Sequence, residues 1–187
     1  MADKAEVVLI GLPKKLIVDG LQAAFNLHVI PRGPEAEAAI AKVAANVRGA
    51  AVTGAPDKMM GDVMARLPKL ELVSSFGVGY DNVDAKYAAA HGITVCNTPE
   101  VLNEEVADTA LGLLLCTVRE FPQAERYLRA GKWLKGGYPL SATLRDRTVG
   151  IVGLGRIGKA IAKRVEAFGV PVVYHSRNSQ KDVSYKY

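Results

Sequence analysis

The chain has 187 residues, 49% hydrophobic and 23% charged, with a net charge of +5. That balance is globular, too apolar for a disordered segment, and the length fits one large domain or two small ones. Its 24 Lys and Arg residues are scattered, which argues against a nucleic-acid or acidic-membrane surface and leaves room for a small polyanionic ligand.

Along the first hundred residues two hydrophobic periods alternate. Glu6 to Gly11 is apolar and β-branched, a buried-strand pattern. Lys14 to Phe25 predicts a helix with Leu16, Ile17, Leu21 and Ala24 on one face. Leu27 to Ile30 is a second strand closed by Pro31, and Glu35 to Val47 an alanine-rich helix carrying Ile40, Val43 and Ala44. Ala50 to Thr53 is a third strand, followed by Gly54-Ala55-Pro56. Asp57 is placed to cap a helix running to Leu67. Leu70 to Phe76 is a fourth strand, Asp84 to His91 a short helix, and Ile93 to Cys96 a fifth strand. Helices of this length between strands imply parallel crossovers and an open α/β sheet.

The pattern changes after Pro99. Asn103 is a candidate cap for a helix with Glu104 and Glu105 in its first turn, which suits the helix dipole. From Val106 to Val118 apolar residues occupy every face, so the helix should be buried on both sides, between two lobes or two subunits. Pro122 to Ala130 is a further helix, and Gly131 to Arg147 reads as an arm or linker. The expected division is a lobe over residues 1–98 and a second from 99 to 187.

Neither the Val7–Leu12 run nor the Ala110–Val118 run is long enough for a leader or a membrane span. Cys96 and Cys116 have no metal or redox spacing and read as buried thiols of a soluble, cytoplasmic protein.

Gly153-Leu154-Gly155-Arg156-Ile157-Gly158 follows the apolar strand Thr148–Val152 and opens the helix Ile157–Phe168, whose core face carries Ile157, Ile161, Val165 and Phe168. Pro171 to Tyr174 begins the next strand. In that context the three glycines serve a dinucleotide. Gly153 permits the tight turn, Gly155 lets the pyrophosphate approach, and Gly158 lets helix and strand pack closely. The amides of Arg156 and Ile157 then face the phosphates. An NAD site usually carries an acid about 20 residues on. Here the second strand ends Tyr174-His175-Ser176-Arg177-Asn178, with no acid before Asp182. A guanidinium binds a 2′-phosphate that a carboxylate would repel. Arg177, helped by Ser176 and Asn178, therefore predicts NADP(H) as the preferred cofactor, with NAD(H) as the alternative.

Gly77-Val78-Gly79 also follows a strand, but Asn82 stands at the third glycine position and no helix begins there. This turn is either a small anion nest or a plain tight turn.

Several segments resemble the D-2-hydroxyacid dehydrogenase family, in its glyoxylate/hydroxypyruvate reductase branch. They are LPKLELVSSFGVGYDNVD at Leu67–Asp84, HGITVCNTPEVLNEEVADTALGLLL at His91–Leu115, RAGKW at Arg129–Trp133 and RTVGIVGLGRIGKAIAKR at Arg147–Arg164. The resemblance implies a flavodoxin-like substrate domain followed by a Rossmann dinucleotide-binding domain, a doubly wound parallel sheet of which this chain holds the first half. It implies a substrate carboxylate on the amides of Val78 and Gly79, with Gly54 lining the same cleft, and reduction of a small 2-keto acid to the 2-hydroxy acid. A homodimer with Trp133 near the subunit contact is implied as well, without nucleic acid, membrane or metal. The Arg, His and Glu of the family's chemistry are expected beyond Tyr187, and these 187 residues alone are expected to be inactive. His28, His91 and His175 have no acidic partner at helical or turn spacing and read as structural, and Asp81, Asp84 and Asp108 as turn and helix residues. Two competing readings are a dinucleotide-sensing, corepressor-like module of the same fold and an NAD-linked dehydrogenase of phosphoglycerate or formate.

Overall fold

The protein is described by a computed structural model covering residues 4–54 and 58–187. It divides into two compact units, Met1–Val101 and Leu102–Tyr187.

In the first unit, β1 (Glu6–Gly11), β2 (Asn26–Ile30), β3 (Val47–Thr53), β4 (Leu72–Phe76) and β5 (Thr94–Cys96) form one sheet in the order β2-β1-β3-β4-β5. Every pairing is parallel, and the order is that of the flavodoxin-like doubly wound fold. Val8, Val47, Val52 and Val73 are fully buried, as expected for strands covered on both faces. Around the sheet lie α1 (Lys15–Ala24), α2 (Ala36–Val43), α3 (Gly61–Met64) and α4 (Ala85–Ala90). Asp84 caps α4 by accepting a hydrogen bond from the Tyr87 amide at 2.9 Å.

Three expectations need correcting. Val47 does not close a helix; α2 ends at Val43, and Val47 opens β3, paired with Glu6. A β-branched side chain with no exposed area gains more in the sheet core than in a frayed helical turn. On α1 the packed face is Ile17, Val18 and Leu21, whereas Leu16 is 82% exposed. This helix rests on the edge strand β2, which covers only a narrow stripe. The helix expected to run to Leu67 is the single turn α3. Met59 is held in a parallel bridge with Val83, its amide donating to the Asn82 carbonyl and its carbonyl accepting from the Asp84 amide. Such pairing keeps residue 59 out of a helix; the expected cap, Asp57, lies outside the described residues.

The second unit begins with α5 (Asn103–Arg119) and α6 (Phe121–Arg129), separated by a left-handed Glu120 at φ 53°. A 3₁₀ turn at Lys132–Lys135 leads to β6 (Val149–Val152), α7 (Arg156–Glu166) and β7 (Val172–His175). β6 and β7 pair in parallel from Val149↔Val172 to Val152↔His175. Leu154, Ala162, Val165 and Tyr174 form the core, joined from α5 by Leu111, Leu114 and Val118. Asn103 is the first helical residue rather than the cap; Leu102 holds the cap position without a side-chain bond. In the single chain Ala107 is the one fully buried residue of α5 and Leu113 is 62% exposed. The cysteines also differ from expectation, Cys96 being exposed and Cys116 half-buried. Among the described residues no helix is long and apolar enough to cross a membrane.

Candidate functional site

Parallel pairing brings the carboxyl ends of β6 and β7 side by side, and the ladder continues one step, with the Gly153 amide donating to the His175 carbonyl at 2.8 Å. The turns leaving the two strands therefore open on the same side. Between them lies a cleft of about 640 Å³, lined by Gly153 to Arg156 from one turn and Ser176 to Asn178 from the other. Carboxyl ends of parallel strands are where α/β sheets place ligands.

Backbone shape explains the three glycines. Gly153 sits at φ +95°, a conformation that side chains resist. A Cβ on Gly158 would fall 2.1 Å from the Gly153 carbonyl oxygen, so nothing larger than glycine fits. Around Gly155 the space is open, with no atom within 4 Å of an added Cβ. Gly155 is also the N-cap of α7, whose first turn contains no acid. The amides of Ile157 and Gly158 have no helical carbonyl one turn back, so positive dipole is left at the cleft floor.

Side chains add to that field. Arg156, Lys159 and Arg177 all line the cleft. Arg177 is exposed and, among the described residues, makes no hydrogen bond or ion pair. Lys159 donates to Asp182 at 2.6 Å, and that bond holds the Asp182 carboxyl below its ordinary value. Ser176 donates its proton to the Asn178 carbonyl at 2.7 Å, leaving the hydroxyl oxygen as an acceptor. Lys159 was not singled out by sequence. The signal was its place one residue past Gly158, on the first turn of α7, but only the fold reveals which way that turn faces.

The first unit holds a second cleft, of about 440 Å³, by the same logic. Register Thr53↔Phe76 sets the ends of β3 and β4 together, so Gly54 stands beside Gly77. Gly54, Gly77, Gly79 and Asn82 line the cleft. Asn82 bridges its walls, accepting from the Ser75 hydroxyl at 3.3 Å and donating to the Gly54 carbonyl at 3.4 Å. The turn itself is fixed from behind, where the Asn97 side chain donates to the Val78 carbonyl at 2.8 Å and the Thr98 amide to that of Gly77 at 2.9 Å. The Gly77 amide is spent on the Ser75 carbonyl, while those of Val78 and Gly79 meet no acceptor among the described residues. A nest requires alternating backbone handedness, and neither Gly77 nor Gly79 has a positive φ. The turn thus offers two adjacent N–H groups but not a nest. Lys58 also lines this cleft, unforeseen from the sequence because a lone lysine in a loop carries no pattern.

His28 does have an acidic partner, Glu6, reached across β1 and β2, and this bond holds the Glu6 carboxyl below its usual range. The pair was invisible in sequence because strand pairing creates it. Glu6 is the first residue of β1, whereas the cleft lies at the opposite, carboxyl ends of the strands, so the pair braces the sheet. His91 bonds the Tyr87 carbonyl at 2.8 Å and stacks on the Tyr87 ring. His175 lies against Tyr187.

The chain is similar to several known proteins. The glyoxylate/hydroxypyruvate reductase A of Arabidopsis thaliana is 44% identical over 170 residues, which cover 89% of this chain and 53% of that protein. A glyoxylate reductase of Pyrococcus horikoshii is 41% identical over 140 residues, covering 72% of this chain and 42% of its own length. This chain thus spans about half the length of the curated relatives it matches. Among solved structures, the NADPH-dependent glyoxylate/hydroxypyruvate reductase of Sinorhizobium meliloti, in complex with citrate, superposes with a TM-score of 0.88 at 46% identity, over 100% of this chain and 57% of that one. The same enzyme in complex with NADP and malonate gives a TM-score of 0.86 at 47% identity, over 99% of this chain and 57% of that one. The profile of the D-isomer specific 2-hydroxyacid dehydrogenase catalytic domain matches residues 8–185, nearly the whole chain, and the protein belongs to that family.

Proposed function

We propose that this chain carries the carboxylate-binding and phosphate-binding parts of an NADP(H)-dependent reductase of small 2-keto acids of the glyoxylate or hydroxypyruvate type. The observation that carries the reading is Arg177, an exposed guanidinium with no partner among the described residues, on the rim of the glycine-turn cleft where an NAD site would hold an acid. The described residues fit a dinucleotide. Open space over Gly153 and Gly155 admits a pyrophosphate, and the amides of Ile157 and Gly158 in the first turn of α7 are placed to bind it.

The chemistry that a bound NADPH would supply is a hydride for the keto carbon, which with a proton taken up by the carbonyl oxygen gives the 2-hydroxy acid and NADP. The chain's own residues do the holding. Val78 and Gly79 present two amides to the substrate carboxylate, and Gly54 and Lys58 complete the wall around it. Arg156, Ile157 and Gly158 present amides to the pyrophosphate, and Arg177 and Asn178 address the 2′-phosphate. Exposed Leu113, Trp133, Leu134 and Leu140 support a homodimer, as apolar side chains that a subunit contact would cover. A cytoplasmic location accompanies this reading.

Binding of NADPH and NADH to the chain, compared by calorimetry, tests it. NADPH should bind at least about tenfold more tightly, and R177Q should shrink the difference several-fold by removing a charge-assisted contact. Equal affinity for both cofactors in the wild-type chain would overturn the assignment of Arg177.

A further inference from the structure

Arg177 is one of several cations lining the glycine-turn cleft, and Lys159 is the one with a carboxylate attached. Its ammonium lies 2.6 Å from Asp182, which is 67% exposed. So exposed a pair adds little to stability. Its effect falls on the cleft instead. Lys159 lines the same space as Ser176, Arg177 and Asn178, while Asp182 stands outside that lining.

We infer that Lys159 is a second cationic contact for the 2′-phosphate, beside Arg177, and that Asp182 is its exchangeable counter-ion. This rests on the reading of the cleft as an NADP(H) site. A phosphate monoester carries a charge of about −1.5 to −2 near neutral pH, more than one guanidinium neutralises. A lysine stem is long and flexible, and its ammonium is a point charge that a dianion attracts more strongly than a single carboxylate does. When NADP(H) enters, Lys159 leaves Asp182 for the phosphate. NADH offers no anion at that place, so Lys159 stays with Asp182. Discrimination between the cofactors is thereby set by two residues, one fixed and one released from a partner.

Dissociation constants for NADPH and NADH, measured by calorimetry on wild type, K159Q, K159R, D182N and R177Q, test this, with circular dichroism checking that each variant is folded. K159Q should weaken NADPH about five- to twentyfold and leave NADH within about twofold, the size of one charge-assisted contact at a solvated site. K159R should recover most of that loss. D182N should tighten NADPH about two- to fivefold by freeing the ammonium in advance, with NADH unchanged. Equal losses for both cofactors in K159Q, or none, would overturn the inference. So would weaker NADPH binding in D182N, which would make Asp182 a support for Lys159 and not its competitor. Selectivity lost in R177Q but intact in K159Q sinks the Lys159 role alone; a wild-type chain with no selectivity sinks the NADP(H) reading with it.

Discussion

The carbonyl oxygen of Gly153 occupies the place where a side chain on Gly158 would have to go, 2.1 Å from an added Cβ. Strand β6 and helix α7 meet at that contact, and the turn between them has no slack. G158A should therefore cost about 1–3 kcal/mol, as overpacking does in a filled core, and denaturant unfolding would register it. G155A makes the contrast. Its φ of −80° suits alanine and nothing lies within 4 Å of the new methyl, so stability should hold within about 0.5 kcal/mol. Its methyl would stand where the pyrophosphate passes, and NADPH affinity should fall about tenfold or more. If G155A unfolded as readily as G158A, the division of labour between the two glycines would be wrong.

Arg164 of α7 holds α5 by two ion pairs, to Glu104 at 2.7 Å and to Asp108 at 2.5 Å, while also donating to the Ala160 carbonyl at 3.1 Å. The guanidinium is 21% exposed and the two carboxylates 70%. Losing Arg164 leaves both acids unpaired beside each other on one helix face, whereas losing one acid leaves the arginine still held. R164M should thus lower the melting temperature by more than D108N or E104Q alone. The two acid variants should combine non-additively, because they share a partner. Added salt should shrink all three effects. Equal shifts for R164M and D108N would mean that Glu104 contributes nothing.

In the first unit the amides of Val78 and Gly79 meet no acceptor among the described residues, but that of Gly77 is already donated to Ser75 at 3.0 Å. Titrating glyoxylate into the chain should move the Val78 and Gly79 amide resonances downfield and leave Gly77 nearly still. N82A should weaken this response several-fold, because Asn82 ties the Gly54 wall to Ser75. The largest shift at Gly77 would place the carboxylate elsewhere.

How much of this was legible in the sequence follows from how local each cause is. Strands such as β1 and β4, and the glycine turn with its flanking elements, carry their signal within a few residues, through β-branched runs and steric need. Val47 was misread because alanine-rich helix and buried strand share apolar residues at a boundary, and only pairing with Glu6 decides between them. Met59 was misread because its bridge partner, Val83, is far along the chain. The same distance hid Glu6–His28, Lys159–Asp182 and Arg164–Asp108. All three pairs join residues from separate parts of the chain, and charge pairing at such separations leaves no spacing rule to read. Arg177 could be named early because its position is counted from the glycines; Lys58 could not, because nothing local fixes where its loop goes.

Tyr185 gives a pH dependence with a definite sign. Its hydroxyl donates to the Glu166 carboxylate at 2.7 Å. That bond, followed by partial burial, pushes its pKa from 10.0 up to about 12. The folded chain therefore holds this proton more tightly than the unfolded chain does. The stability it contributes is complete below the unfolded value near 10, and it is lost as pH rises through the window up to about 12. Ionised, the phenolate would face the Glu166 carboxylate, a like-charge contact that pries the tail from α7. Alkaline unfolding of Y185F should accordingly be flatter across that window than that of wild type. In a spectroscopic titration of tyrosinate, Y185F should lose a late-ionising component while the component from Tyr138, also raised by its bond to Glu120, remains. E166Q should bring the Tyr185 component back toward the ordinary tyrosine range. A titration of Y185F that kept the full late component would show that the Glu166 bond does not hold the proton.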